Sequence, residues 1–129
     1  MANLNTIGWF DIYVDDMKRA AAFFESVLGQ TLEKMEDPTG NSQMMSFPGG
    51  EESMNRYGAL GALVKMEGVG PGVGGTVVYF NSEDCTREES RVVAAGGQIL
   101  RSRFSIGEFG WVVLCKDTEG NVFGVNSMK

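Results

Sequence analysis

The stretch Gly68-Val69-Gly70-Pro71-Gly72-Val73-Gly74-Gly75 contains Gly70-x-Gly72-x-x-Gly75, the spacing at which a backbone loop can cradle a pyrophosphate. Such a loop works when it follows a buried strand and opens a helix, because the N–H groups of the helix N-terminus hold the phosphate. Here the order is reversed. The glycines lead into Thr76-Val77-Val78-Tyr79-Phe80, a β-branched and aromatic run that reads as a strand, and the next helix-like segment begins only near Glu83. The spacing therefore predicts a connector between two structural units, its glycines serving chain reversal and reach.

Other residue types narrow the chemistry further. The chain has no histidine, which excludes imidazole metal ligands and imidazole acid–base catalysis. Any catalysis must use carboxylates, tyrosines, lysines, thiols, hydroxyls or a supplied cofactor, and no pair of titratable groups stands out by spacing. Cys85 and Cys115 fall in a helix-like and a strand-like segment without a Cys-x-x-Cys pattern, so buried reduced thiols are expected.

The frame around these residues is that of one compact domain of 129 residues, large enough to bury a core without disulfides or a structural metal. A net charge of −6 repels nucleic acid and anionic lipid, and neither is an expected partner. The sequence carries no apolar run of membrane-spanning length, and Met1-Ala2-Asn3-Leu4-Asn5 lacks the features of a secretion signal; the expected location is cytoplasmic.

The elements that must position any site repeat themselves. Ile7 to Val14 alternates as a strand, with Phe10, Ile12 and Val14 on one apolar face. Asp15-Asp16 supplies a helix cap, Met17, Ala20, Ala21, Phe24, Val27 and Leu28 recur on one helical face, and Gly29 stops the helix. Adding 68 to each position gives the same order again: Trp9 maps to Val77, Phe10 to Val78, Asp15-Asp16 to Glu83-Asp84, Phe24 to Val92, Gly29 to Gly97 and Leu32 to Leu100. Each helix is followed by three shorter β-like runs. In the first unit these lie around Thr31 to Met35, Gln43 to Phe47 and Gly58 to Met66; in the second, around Gln98 to Arg103, Gly110 to Cys115 and Val122 to Met128. The organisation is β-α-β-β-β written twice, with repeat units of about 5–67 and 75–129, a glycine-rich connector at 68–75, and a polar loop, Glu51 to Tyr57, that covers or borders a cleft.

This repeat resembles the vicinal oxygen chelate superfamily, which includes glyoxalase I, bleomycin-resistance proteins and extradiol dioxygenases. The residues carrying the resemblance are Trp9 to Met17, Ala22 to Gly29, Ala94-Ala95-Gly96-Gly97 and Asp117-Thr118-Glu119-Gly120-Asn121-Val122-Phe123. It implies an α+β fold in which two tandem βαβββ units form a curved mixed sheet around a cleft, helices outside, in a homodimer. It also implies metal ligands near the start of each unit's first strand and within each unit's last strand. Carried over, these positions are Trp9, Val77, Gly124 and, by pairing Val122 to Val125 with Ala59 to Ala62, Gly61. None offers a side-chain lone pair for a divalent cation, so neither a metal nor another cofactor is expected.

Strand parity then assigns a lining. Trp9, Asp11 and Tyr13 oppose the apolar face of the first strand; Val77, Tyr79 and Asn81 do so in the fifth, and Val122, Gly124 and Asn126 share that side in the last. The resulting expectation is a metal-independent binding protein of the bleomycin-resistance type, taking a small aromatic or cationic ligand at Trp9, Asp11, Tyr13, Val77, Tyr79, Asn81, Gly124 and Asn126. The alternative is a lyase, isomerase or dioxygenase-like enzyme with a non-standard site, using Asp11, Tyr13 or Tyr79 as acid or base. A third class is a domain for assembly or regulation of another protein.

Overall fold

The computed structural model describes residues 6–49 and 58–129. It consists of two compact units: Trp9–Thr76 forms one, while residues 6–8 group with Val77–Lys129 in the other.

The first unit is built from β1 (Ile7–Tyr13), α1 (Met17–Leu28), β2 (Glu33–Met35), β3 (Ser42–Ser46) and β4 (Leu60–Met66). Its strands lie in the order β2-β3-β4-β1, with β1 parallel to β4 and the other pairs antiparallel. A parallel pair needs a long crossover, and α1 with β2 and β3 provides it. Helix α1 starts at Asp16, whose carboxylate accepts the Arg19 N–H at 3.0 Å, and stops at Gly29, where φ of 66° suits a residue without Cβ. Val14, Ala21, Leu32 and Leu63 form the core, flanked by Ile12, Met17, Ala20, Phe24, Met45 and Phe47. The predicted helical stripe is correct for its first two turns, but Val27 and Leu28 are exposed. Leu32 closes that end of the core instead, its N–H held by the Glu25 carboxylate at 2.9 Å.

The second unit repeats the plan with β5 (Thr76–Asn81), α2 (Cys85–Val92), β6 (Gln98–Ser105), β7 (Trp111–Lys116) and β8 (Val122–Ser127), its strands in the order β5-β8-β7-β6. Again the first and last strands are parallel and the remainder antiparallel. Asp84 caps α2, accepting from the Thr86 N–H at 3.1 Å, so the acidic caps coincide with the offset of 68. Beyond the helix the offset slips by one. Gly96, with φ of 102°, rather than Gly97, takes the left-handed turn, and Ile99 rather than Leu100 enters the core; Leu100 is 47% exposed. Cys85, Val113, Cys115 and Val125 are the buried centre, and both thiols are free, as expected.

Gly68 to Gly75 joins β4 to β5 and opens no helix. Gly68, Gly72 and Gly74 have positive φ, the Gly75 N–H closes a turn onto the Gly72 carbonyl at 2.9 Å, and the Gly75 carbonyl accepts the Tyr13 N–H at 2.7 Å. Asp117 organises the β7–β8 hairpin by accepting the N–H groups of Glu119 and Asn121 at 2.8 and 2.9 Å. The polar loop Glu51 to Tyr57 lies outside the described residues.

Candidate functional site

In β1 the two-residue period places Trp9, Asp11 and Tyr13 on one face, and hydrogen bonds join them. The Trp9 indole N–H donates to one Asp11 carboxylate oxygen at 2.8 Å, and the Tyr13 hydroxyl donates to the other at 3.5 Å. Asp11 is 6% exposed, one of two buried polar residues in the chain's described part. A carboxylate removed from water keeps its charge at a cost unless donors or a cation compensate it, and the two aromatic side chains supply donors from either side along the strand. Opposite Asp11 in the parallel ladder stands the buried Ala62, which adds no polar group.

In the second unit Val77, Tyr79 and Asn81 occupy the corresponding face of β5, with Val77 buried. Tyr79 pairs with Gly124 and Asn81 with Asn126 across the β5–β8 ladder. Two residues of the expected lining have partners within this unit. A Cβ built on Gly124 would overlap the Tyr79 ring, so the glycine accommodates an aromatic side chain of its own unit. Asn126 is engaged structurally, its amide donating to the Trp111 carbonyl at 2.9 Å and the Phe109 carbonyl at 3.3 Å. That clamp holds the 3-10 turn Gly107–Phe109, which contains Glu108, onto the start of β7. The Asn81 side chain lies against the backbone of Gly8, where any Cβ would meet it.

The register also corrects the fourth superfamily position. Tyr79 pairs with Gly124 and its repeat partner Asp11 pairs with Ala62, so Ala62 is the counterpart of Gly124. Gly61 faces the other way, and a Cβ on it would strike the Phe10 ring on the helix side. At Trp9, Val77, Ala62 and Gly124 the side chains are an indole, an isopropyl group, a methyl group and a hydrogen. That donor set does not fit a divalent cation. Among the described residues there is also no group of three or more His, Cys, Asp or Glu side chains arranged to hold one.

A pair of contacts escaped the sequence reading. The guanidinium of Arg103 lies 3.6 Å from the Trp111 ring centre, and that of Arg101 lies 3.7 Å from the Phe104 ring centre. Basic residues on β6 beside aromatics of the same hairpin were the available signal, but two breaks in the β6–β7 register obscured which rings they meet.

Among the described residues no helix is long and apolar enough to cross a membrane. Solved structures share the fold. Methylmalonyl-CoA epimerase from Streptomyces coelicolor superposes with a TM-score of 0.68 at 14% identity, covering 97% of this chain and 98% of that one. The methylmalonyl-CoA epimerase of Mycobacterium tuberculosis gives 0.68 at 11% identity over 98% and 89%, and the hypothetical protein BH1468 of Bacillus halodurans C-125 gives 0.69 at 12% over 95% and 94%. In sequence the chain is 30% identical over 121 residues to the putative glyoxylase CFP32 of Mycobacterium bovis and of Mycobacterium tuberculosis. This match takes in 93% of the chain but 43% of CFP32, so the chain spans less than half the length of the curated relatives it matches. Residues 6–125 match the family described as the Glyoxalase/Bleomycin resistance protein/Dioxygenase superfamily, and the twofold β-α-β-β-β plan agrees with that match: the chain belongs to this superfamily.

Proposed function

We propose that the protein binds a small aromatic or cationic molecule without the help of a metal, at the β1 face that carries Trp9, Asp11 and Tyr13. The observation that carries this reading is the buried Asp11 carboxylate set between an indole and a phenol. A carboxylate supplies charge for a cation and the flanking rings supply π-faces, the combination that selects quaternary or aromatic ammonium groups. The superfamily's ligand positions carry no donor side chains, in keeping with sequestration in place of metal chemistry. Tyr79 and Val77 form the equivalent face of the second unit, where Tyr79 is the aromatic surface and Gly124 its seat. The assembly proposed is a homodimer, which light scattering at micromolar concentration tests.

Titration with benzyltrimethylammonium, followed by tryptophan fluorescence, tests the binding proposal. Saturable quenching is expected in the parent, with at least tenfold weaker binding in Asp11→Asn, which retains a carbonyl acceptor for the Trp9 indole. Equal binding by the variant overturns the charge argument, and stoichiometric zinc, iron, nickel or manganese after chelator-free purification overturns metal independence.

A second reading rests on the Tyr13 hydroxyl and Asp11 carboxylate facing each other at 3.5 Å. Such a pair can relay a proton, as a lyase or isomerase requires. Turnover of a bound carbonyl compound that survives in Asp11→Asn and Tyr13→Phe would remove the pair from that role.

A further inference from the structure

The second unit carries a groove of about 350 Å³ on the helix side of its sheet. Phe80, Phe123, Val125, Val92 and Ala95 line it, and Arg91 stands at its rim. Phe80 and Phe123 meet edge to face with centres 5.8 Å apart.

The first unit fills the equivalent face with other side chains. Phe10, Phe24 and Phe47 form a chain of rings there, with Phe47 5.6 Å from each of the other two. The ladders align Phe10 with Val78, Gly61 with Phe123, and Phe47, bonded through its N–H to Gly61, with Cys115. Phe24 and Val92 stand equally far from their caps, Asp16 and Asp84. Three rings of the first unit are thus replaced by two isopropyl groups and a thiol, while Phe80 stands for Ile12, Phe123 for Gly61 and Trp111 for Gln43. The second unit's rings are carried by its strands, and α2 presents Val92 at the groove where α1 presents Phe24.

Four charged residues border the groove, Arg91 and Lys116 with Glu88 and Asp117. Glu88 accepts the Ser82 hydroxyl at 2.7 Å, and Asp117 is occupied by its own turn, whereas Arg91 makes no ion pair among the described residues. A planar guanidinium with five donors beside an aryl-lined recess matches a carboxylate attached to a ring. We infer that the groove between α2 and β8 is a second binding site, distinct from the β1 face, that takes a small aryl carboxylate with its ring on Phe80 and Phe123 and its carboxylate at Arg91.

The probe is 3-phenylpropionate, compared with 3-phenylpropanol, in amide-resolved NMR titrations of the full chain. Saturable shifts are expected at Val92, Ala95 and Gly97, with the alcohol at least fivefold weaker. Arg91→Gln should lower carboxylate affinity to that of the alcohol. Val92→Phe should place a ring in the groove, as Phe24 does in the first unit, and abolish the shifts while the melting temperature stays the same or rises; Ala95→Leu serves as a second block if Val92→Phe folds poorly. Equal affinity for acid and alcohol, unchanged binding in a folded blocked variant, shifts confined to other residues, or no saturation overturns the assignment. So does loss of the groove to a second copy of the chain, seen as shifts that follow protein concentration.

Discussion

The ring of Tyr79 lies across the backbone of Gly124, its ladder partner, at a distance that leaves no room for a Cβ. Gly124→Ala should therefore push the ring aside and destabilise the protein by about 1–3 kcal/mol, the range for overpacking a filled site. Tyr79→Ala in the same chain should relieve the overlap, giving a coupling of more than about 0.5 kcal/mol in a urea double-mutant cycle. Additive effects would show that the two positions do not share this space.

Asn126→Ala breaks two hydrogen bonds to backbone carbonyls, those of Trp111 and Phe109. A loss of roughly 1–3 kcal/mol is expected at ordinary net strengths per bond. Hydrogen exchange should quicken first around the 3-10 turn and the start of β7. A variant with parental stability and exchange would make Asn126 a free lining residue after all.

Three aspartates make stability depend on acid. Burial alone would raise Asp37, but bonds from the Ser42 hydroxyl and from the Thr39 hydroxyl and N–H outweigh it and hold the carboxyl below 3.8. Thr86 lowers Asp84 from one hydroxyl and one N–H, and Asn121 lowers Asp117 in the hairpin turn. A carboxyl depressed on folding contributes stability that is complete above its unfolded value and is lost as pH falls through its folded one. The urea midpoint should thus hold steady down to about pH 5 and decline below about pH 4, with a shallower decline in Asp37→Asn. A midpoint that climbs in that acid range would contradict the assignment.

The thiols should be silent in the native state. Burial raises Cys115, and nearby Glu89 and Cys85 raise it further, while Cys85 is itself wholly buried. Reaction with an aromatic disulfide reagent at pH 8 should be negligible over minutes before urea is added and should reach two thiols per chain after it. Prompt labelling of the folded protein would mean that this core opens readily.

Much of this fold is legible in the sequence because the two units use the same start signals. Asp16 and Asp84 cap their helices where the offset of 68 places them, and two-residue alternation puts Trp9, Asp11 and Tyr13 on one face. What failed was the reading of glycine by type. Gly29 invited a match with Gly97 and Gly124 a match with Gly61, yet backbone conformation selects Gly96 and ladder register selects Ala62. Facing is decided by the partner strand, which a single sequence leaves implicit. Likewise the absent side chain of Gly124 reads as a vacancy only until the ring that fills it is placed.

The glycine connector offers a place to open the chain. Val73 is fully exposed at its tip, while the Gly75 carbonyl is tied to Tyr13 and the Gly75 N–H to Gly72. An epitope or fluorophore-bearing peptide spliced immediately before Val73 lengthens a loop whose closure entropy grows only with the logarithm of its length, leaving both cores with their own residues. The repeat thereby acquires a tagging point that uses no residue of the β1 face or of the groove under α2.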